Sequence, residues 1–380
     1  MIKNKNLEIY IHIPFCRRKC RYCDFLSFSQ GEEVQRRYMD ALKKEITAKS
    51  QKYRAYEVTT VFIGGGTPSI VKPQWIKELM ELLSVCFTIA EDAEISMEMN
   101  PGTVAEESLA IYKAAGINRL SIGLQSAKDE ELALLGRIHS FEEFLSAYTS
   151  ARSMGFFNIN VDLMSALPGQ SLTSYRESLE RVLSLSPPPE HISAYSLIVE
   201  EGTPFYDAYE KGELMLPSEE EERLMYEETE KMLREHGFYR YEISNYAKKG
   251  YECKHNVGYW RRENYVGFGL GAASMVENVR FSGETDLEAY LANPLKEAEE
   301  TALSLEEQME EFMFLGLRLI RGVEESTFCE LFGKSVEEVY GEVLDKHVKN
   351  GLLCRTDGRI YLSHRGIDVS NYVMSDFLLS

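Results

Sequence analysis

Short runs rich in β-branched residues alternate with amphipathic helical patterns from the N-terminus to about residue 200. The runs at 8–13, 59–63, 94–99, 119–124, 158–163 and 191–198 predict six strands. The segments between them predict helices near 33–50, 74–87, 105–115, 129–153 and 171–185. Strands alternating with helices imply an α/β protein with a parallel sheet, open or closed into a barrel, and function at the strand C-terminal ends. Gly116 and Gly155 each follow a helical pattern and precede a strand, the stop signal this layout expects. After Ser186-Pro187-Pro188-Pro189 and the sixth strand the pattern changes. An acidic helix is predicted near 218–236, then a Tyr- and Gly-rich stretch of short strands and turns over 239–283. From about 304 the order is three helices, a two-stranded piece at 352–354 and 359–362 turning at Asp357-Gly358, and a last helix, which suggests a winged-helix-like module.

With 380 residues the chain is long enough for two to three domains, so a stapled miniprotein is excluded. The formal charge of -19 argues against nucleic acid as the main ligand, and the C-terminal module is not notably basic, so packing or docking is expected of it. Much of the acid sits at 219–222 with Glu227 and Glu228, and at 297–311, interleaved with Leu, Met and Phe. Both runs read as solvated faces of amphipathic helices. No stretch reaches the roughly 18 apolar residues of a membrane span, and the apolar run at the start is too short for a signal peptide. A cytoplasmic protein is expected.

Seven cysteines, three of them within eight residues and Cys86, Cys253, Cys329 and Cys354 scattered, do not make a secreted disulfide framework. Cys16-x-x-x-Cys20-x-x-Cys23 follows the first predicted strand. Three thiolates on one short loop can hold three irons of a [4Fe-4S] cube and leave the fourth open to a ligand. A structural zinc site would want a fourth ligand, for which only Asp24 stands nearby. Arg17, Arg18, Lys19 and Arg21 invert the acidic background; they would favour the more negative, reduced cluster and receive an acidic electron-transfer protein.

The cysteine spacing resembles the signature of the radical S-adenosylmethionine superfamily. Its setting, Tyr10-Ile11-His12-Ile13-Pro14-Phe15-Cys16 through Tyr22-Cys23-Asp24-Phe25, is similar to the branch containing oxygen-independent coproporphyrinogen III dehydrogenase and the HemW heme chaperones. The resemblance implies a partial (β/α)6 barrel over 1–200, an α/β extension over 201–300 and a C-terminal winged-helix-like domain over 301–380. It also implies that the unique iron chelates S-adenosylmethionine and that one electron cleaves the sulfonium to a 5'-deoxyadenosyl radical. Around that cofactor the family places equivalents of Tyr10, Tyr22, Gly65, Gly66, Thr67, Glu98, Gln125, Arg137 and Asp162. Gly64-Gly65-Gly66-Thr67-Pro68 resembles the family's GGGTP motif, whose glycines let the backbone approach a ligand with free N–H groups. Glu98, Gln125 and Asp162 stand at strand ends and Arg137 in a following loop, positions that in barrels read as site. His12 is expected to pack against the cofactor; His139, His191, His236, His347 and His364 carry no ligand spacing.

Two features favour the chaperones over the dehydrogenase. The dehydrogenase loop continues to a fourth cysteine where Phe25 stands here, and it carries an extension before the first strand, which this chain begins only a few residues ahead of. Cys253-Lys254-His255-Asn256-Val257-Gly258-Tyr259-Trp260 matches the HNxxYW motif that in the HemW group is associated with heme. An imidazole ligates iron, Tyr and Trp offer faces to a porphyrin, and Cys253 is a second candidate axial ligand. The plain alternative is that His255 and Asn256 make turn hydrogen bonds and Trp260 is core. The expectation is a heme chaperone holding a cluster, S-adenosylmethionine and heme. Its partners would be heme-accepting proteins, reached in part through transient membrane association, and a low-potential donor such as flavodoxin or ferredoxin. A homodimer stays open. The first rival is the dehydrogenase; the others are a radical enzyme that opens or alkylates a tetrapyrrole, and a nucleic-acid binder.

Overall fold

The structure, a computed structural model, describes residues 5–296 and 299–379. The first half alternates as β1 (Lys5–Ile13), α1 (Glu32–Lys49), β2 (Tyr56–Gly65), α2 (Pro73–Cys86), β3 (Thr88–Met99), α3 (Glu106–Ala114), β4 (Arg119–Gln125), α4 (Asp129–Leu135), α5 (Phe141–Ser153), β5 (Ile159–Ser165), α6 (Leu172–Leu183) and β6 (His191–Ser196). It continues through α7 (Pro204–Glu210), α8 (Glu219–Glu235), β7 (Tyr239–Arg240), β8 (Asn245–Ala247), α9 (Lys254–Trp260), β9 (Tyr265–Phe268), β10 (Ala273–Val276), β11 (Val279–Ser282), α10 (Leu287–Ala292) and β12 (Thr301–Ala302). The C-terminal part holds α11 (Leu305–Gly316), β13 (Val323–Glu324), α12 (Glu325–Phe332), α13 (Val336–Lys349), β14 (Leu353–Thr356), β15 (Arg359–Leu362), α14 (His364–Asp368) and α15 (Ser370–Ser375).

β1 to β6 pair in sequence order, all parallel, within a twelve-stranded sheet ordered β12-β11-β10-β9-β1-β2-β3-β4-β5-β6-β8-β7. The 201–300 segment therefore extends both edges of one sheet. β9 adds a seventh parallel strand beside β1, and on the other side β8 pairs antiparallel to β6 with β7 beyond it at the edge. β9 falls in the stretch where short strands were expected, but its parallel pairing with β1 was not foreseen, because four residues in a Gly-rich stretch carry no periodicity that names a partner.

Alternation along the strands explains the curvature. Ile9, Ile11, Val61, Ile63, Leu120, Ile122, Val161, Leu163 and Ile192 are fully buried in the main apolar core. The intervening positions, Glu8, Thr60, Ser96, Arg119, Ser121, Asn160 and His191, are polar and also buried. A parallel sheet covered by helices on both faces would be apolar throughout. This one has a polar inner face, and Tyr10, Phe62, Glu98, Gly123, Asp162 and Tyr195 of its six strands line a common cavity, so the sheet wraps into a partial barrel.

Three expectations are corrected. The helix expected over 129–153 is two. Gly136, at φ 76°, ends α4, and a capping box between Ser140 and Glu143 starts α5, so the intervening loop is free to carry Arg137 inward. The acidic run at 297–311 begins outside the described residues at 297 and 298, and its helix starts only at Leu305. Nor is it all solvated: Glu310 and Glu311 are buried, and Glu311 pairs with Arg262 and Arg280. The C-terminal wing has three strands, ordered β13-β15-β14, and the last helix is two short ones. This region holds its own core around Met313, Phe328, Tyr340, Ile360 and Phe377.

A nearly buried ion pair ties α5 to the chain entering β6. Arg152 donates to both oxygens of Glu190 at 2.9 and 3.1 Å, and the Glu190 carboxylate also accepts from Ile159 N–H at 3.1 Å. Removing one member of such a pair leaves a buried charge. Glu190→Ala should therefore cost about 3–5 kcal/mol, measured by urea denaturation, whereas an exposed pair such as Arg176–Glu180 should cost under about 1 kcal/mol.

Candidate functional site

The cysteine loop leaves β1 and returns at once. Cys16 N–H donates to Phe28 O at 2.9 Å and Phe28 N–H to Pro14 O at 2.8 Å, closing its base. Its far side is fastened to the turn between α4 and α5. Arg21 N–H donates to Leu135 O at 3.0 Å, and the Arg18 guanidinium donates to the Gly136 and Arg137 carbonyls. Arg18 is thus engaged, and Arg21 lies over the Phe205 ring; Arg17 and Lys19 remain exposed on the loop. The Cys23 thiol is pushed up to about 11 by burial, with the Cys20 and Cys16 thiolates adding repulsion. Thiols held this way need a cationic partner to ionise.

The glycine turn after β2 is packed under this loop, and here an expectation is corrected. Its amides are not free. Gly65 N–H donates to Glu98 Oε2 at 3.1 Å, Gly66 N–H to Ile13 O at 2.9 Å and Thr67 N–H to Phe15 O at 2.7 Å. A Cβ at Gly66 would stand 2.7 Å from Phe15 O, so glycine is required for close approach of two backbones. The turn supports the cysteine loop; Cys16 Sγ lies 3.6 Å from Thr67 Oγ1.

Opposite the cysteines the strand ends bring charge into the interior. Glu98 is pushed up to about 8 by burial and by the neighbouring Asp162 carboxylate. Asp162 is raised by burial, an effect its hydrogen bonds from Asn160 and Ser193 oppose. Arg137 extends a guanidinium to Gly123 O and to Cys20 Sγ, the latter at 3.7 Å. Gln125 has φ 74°, a left-handed conformation costly for a residue with a Cβ. Tyr195 holds its side chain by a 3.0 Å bond to Oε1.

Cys16, Cys20 and Cys23 line one cavity of about 600 Å³ together with Tyr10, Tyr22, Gly65, Gly66, Thr67, Glu98, Gln125, Arg137 and Asp162, and so does His255 at its floor. A cube takes one thiolate per iron, so its cysteines need not converge on a point. Among the described residues no three His, Cys, Asp or Glu side chains do.

The floor is α9, which carries the His255–Trp260 motif. Glu94 accepts from Cys253 Sγ at 3.5 Å, Lys254 N–H at 3.2 Å and His255 N–H at 3.4 Å. Cys253, raised to about 12 by burial, donates to Glu94 and does not line the cavity, so the expectation of a second axial ligand there is corrected. His255 is held on both ring nitrogens, Nδ1 by Thr60 Oγ1 at 2.6 Å and Nε2 by the Tyr259 hydroxyl at 3.0 Å, and its pKa is lowered to about 3 by burial and by Arg119. A neutral imidazole is the form that ligates iron, and Tyr259 is what must leave for it to do so. His12 bridges the Tyr10 hydroxyl at 3.0 Å and Leu26 O at 2.9 Å and packs against Gly65, bracing the loop. The sequence reading did not single out Glu8, Thr60, Glu94 or Arg119. The signal that marks them is a polar residue at every second position of otherwise apolar strands.

A domain profile for the radical SAM superfamily matches residues 10–182, and one for the HemN C-terminal domain matches residues 303–369. Heme chaperone HemW of Bacillus subtilis is 39% identical over 376 residues, 97% of this chain and 98% of that protein. The chain belongs to the HemW family. HemW of Escherichia coli is 40% identical across 73% of this chain and 72% of its own length. A mitochondrial radical S-adenosyl methionine domain-containing protein of Danio rerio is 31% identical across 93% and 85%. In structure, Escherichia coli coproporphyrinogen III oxidase (HemN) superposes with a TM-score of 0.86 over 99% of this chain and 91% of its own, at 23% identity, so the two share a fold. Membership of the radical SAM superfamily implies a [4Fe-4S] cluster and S-adenosylmethionine. Among the described residues no helix is long and apolar enough to cross a membrane.

Burial of Glu98 gives the HemW-family chain a pH signature. Raised from 4.5 to about 8, this carboxyl keeps its proton in the folded state while the unfolded state releases it. Its contribution to stability is present below pH 4.5 and is lost as pH rises to about 8. Glu8, raised to about 9 by burial and by Glu263 and Glu94, adds a loss of the same sign. The thermal midpoint of cluster-free protein should fall across this window. Glu98→Gln should flatten the fall and Glu8→Gln/Glu98→Gln should flatten it further; an unchanged slope in the double variant would refute the assignment.

Proposed function

We propose that this chain is a heme chaperone that holds a [4Fe-4S] cluster and S-adenosylmethionine and passes heme to acceptor proteins in the cytoplasm. The observation that carries the reading is convergence. The three cysteines, the nine candidate cofactor residues and His255 of the HNxxYW segment line one cavity in a chain that is 39% identical to a heme chaperone over nearly its whole length.

Cys16, Cys20 and Cys23 each hold one iron, and Arg137 beside Cys20 steadies the thiolate charge. When bound there, the cluster supplies single-electron reduction of a sulfonium. Glu98 and Asp162 form an acidic wall for the ammonium or ribose of S-adenosylmethionine; burial raises both in spite of the nearby guanidiniums, and a bound ammonium would draw Glu98 back to its charged form. Exposed Arg17 and Lys19 suit the acidic face of a low-potential donor such as flavodoxin or ferredoxin, and acceptors at the membrane would bring only transient contact with it. Heme is cargo in this reading, with His255 its ligand once Tyr259 turns away.

Iron analysis after anaerobic reconstitution tests the first part. Cys16→Ala, Cys20→Ala and Cys23→Ala should each lose the full cube, and retention in all three would sink it. For the cargo, His255→Ala should shift the Soret band of hemin-loaded protein and weaken binding. Catalytic conversion of coproporphyrinogen III to protoporphyrinogen IX by the reconstituted protein would overturn the chaperone reading in favour of the dehydrogenase.

A further inference from the structure

A second cavity, of about 320 Å³, lies behind the wall of the first. Tyr10 and Tyr259 line both, and the second is completed by Trp260, Tyr265, Met275 and Arg280 among others. The HNxxYW segment is therefore divided: His255 faces the cluster cavity, Trp260 faces the other, and Tyr259 separates them. Tyr259 packs edge-on against both His255 and Tyr265, with ring centroids 4.8 and 4.7 Å apart.

The rim is charged in an unbalanced way. Arg280 donates to Glu311 Oε1 at 2.7 and 2.9 Å and Arg262 donates to Oε2 at 3.0 Å, so two guanidiniums share one carboxylate. Arg262 and Glu311 are only 8% and 10% exposed, whereas Arg280 is 38% exposed and stands where a ligand can reach it. An apolar aromatic slot with one surplus cation at its mouth fits a flat ring that is apolar along one edge and carries a carboxylate on the other.

We propose that the tetrapyrrole seats in this second cavity, apolar edge against Tyr259, Trp260 and Met275, with a propionate on Arg280. The proposal rests on the heme reading above and goes further by locating the ring outside the cluster cavity. At about 320 Å³ the slot is at the lower limit of ligand cavities and encloses an edge of the ring, not the whole, as suits a cargo to be handed on. With Tyr259 in place as the wall between the cavities, His255, which lines only the cluster cavity, does not reach the seated ring; it becomes the ligand only once Tyr259 turns aside and the two cavities join.

The test is anaerobic titration of the cluster-loaded full chain with hemin and with hemin dimethyl ester, followed at the Soret band. Ala273, exposed on β10, lines the mouth of the slot, and Ala273→Trp fills it without disturbing the core. Ala273→Trp should weaken both ligands by roughly tenfold or more, and Arg280→Gln should weaken hemin by roughly fivefold while leaving the ester unchanged. Hemin bound by Ala273→Trp as tightly as by the unmodified chain, with iron content equal, would overturn the second-cavity site and leave the heme reading standing. Equal losses for hemin and ester in Arg280→Gln would overturn the propionate contact. Failure of the unmodified chain to bind hemin would overturn both readings together.

Discussion

Glu94 is the residue on which the interior depends. It lies at the closed end of the barrel, under the first turn of α9, and its carboxylate takes two backbone N–H groups and a thiol that would otherwise be buried without partners. That contact fixes α9 inside the sheet, where a Cβ on Gly258 would overlap the Glu8 carboxyl, so the helix can lie this close only through glycine. From α9 the chain turns directly into β9, which pairs with β1, and through β10 and β11 it reaches Glu311 on α11. One buried carboxylate thus sets the floor of the cavity, the seventh parallel strand and the approach of the C-terminal part.

Charge placed in such an interior has to be answered. Arg119 is fully buried among Cys253, Glu94, Tyr241 and Asp162, and its charge offsets the acidic floor. Nearer the mouth the balance is left open: Glu98 and Asp162 face the cavity, Gln125 is strained to reach it, and three thiols share one loop. A protein that only needed stability would fill this space with apolar side chains. A strained residue and buried carboxyls gathered at one mouth are the pattern of a functional site, not of a packed core.

The cluster loop and its surroundings differ in how far they can be read from residue order. Cys16, Cys20 and Cys23 were legible because their chemistry is local: three thiolates on eight residues limit what they can bind whatever surrounds them. The strand ends carrying Glu98 and Gln125 were legible through the alternation of strands and helices, whereas Asp162, expected at the end of its strand, sits in the middle of β5, which runs on to Ser165. The amides of the glycine turn were not, since whether Gly66 N–H meets a ligand or Ile13 O depends on β1 lying alongside β2. The break at Gly136 was missed because the apolar spacing runs on through it, and only the capping geometry shows that a loop is needed to bring Arg137 to Cys20.

Residue order by itself determined the α/β alternation and the cysteine loop, because hydrophobic periodicity and short-range spacing are properties of neighbours in the chain; the segment that carries His255 stood out only by its resemblance to the HNxxYW motif. Tertiary structure alone decided that Glu311 is a buried partner of two arginines and not a solvated face, that Cys253 serves Glu94, and that Tyr259 stands between two cavities. Each of these joins residues far apart in sequence, and the energy of a buried polar group is set by what the fold places beside it.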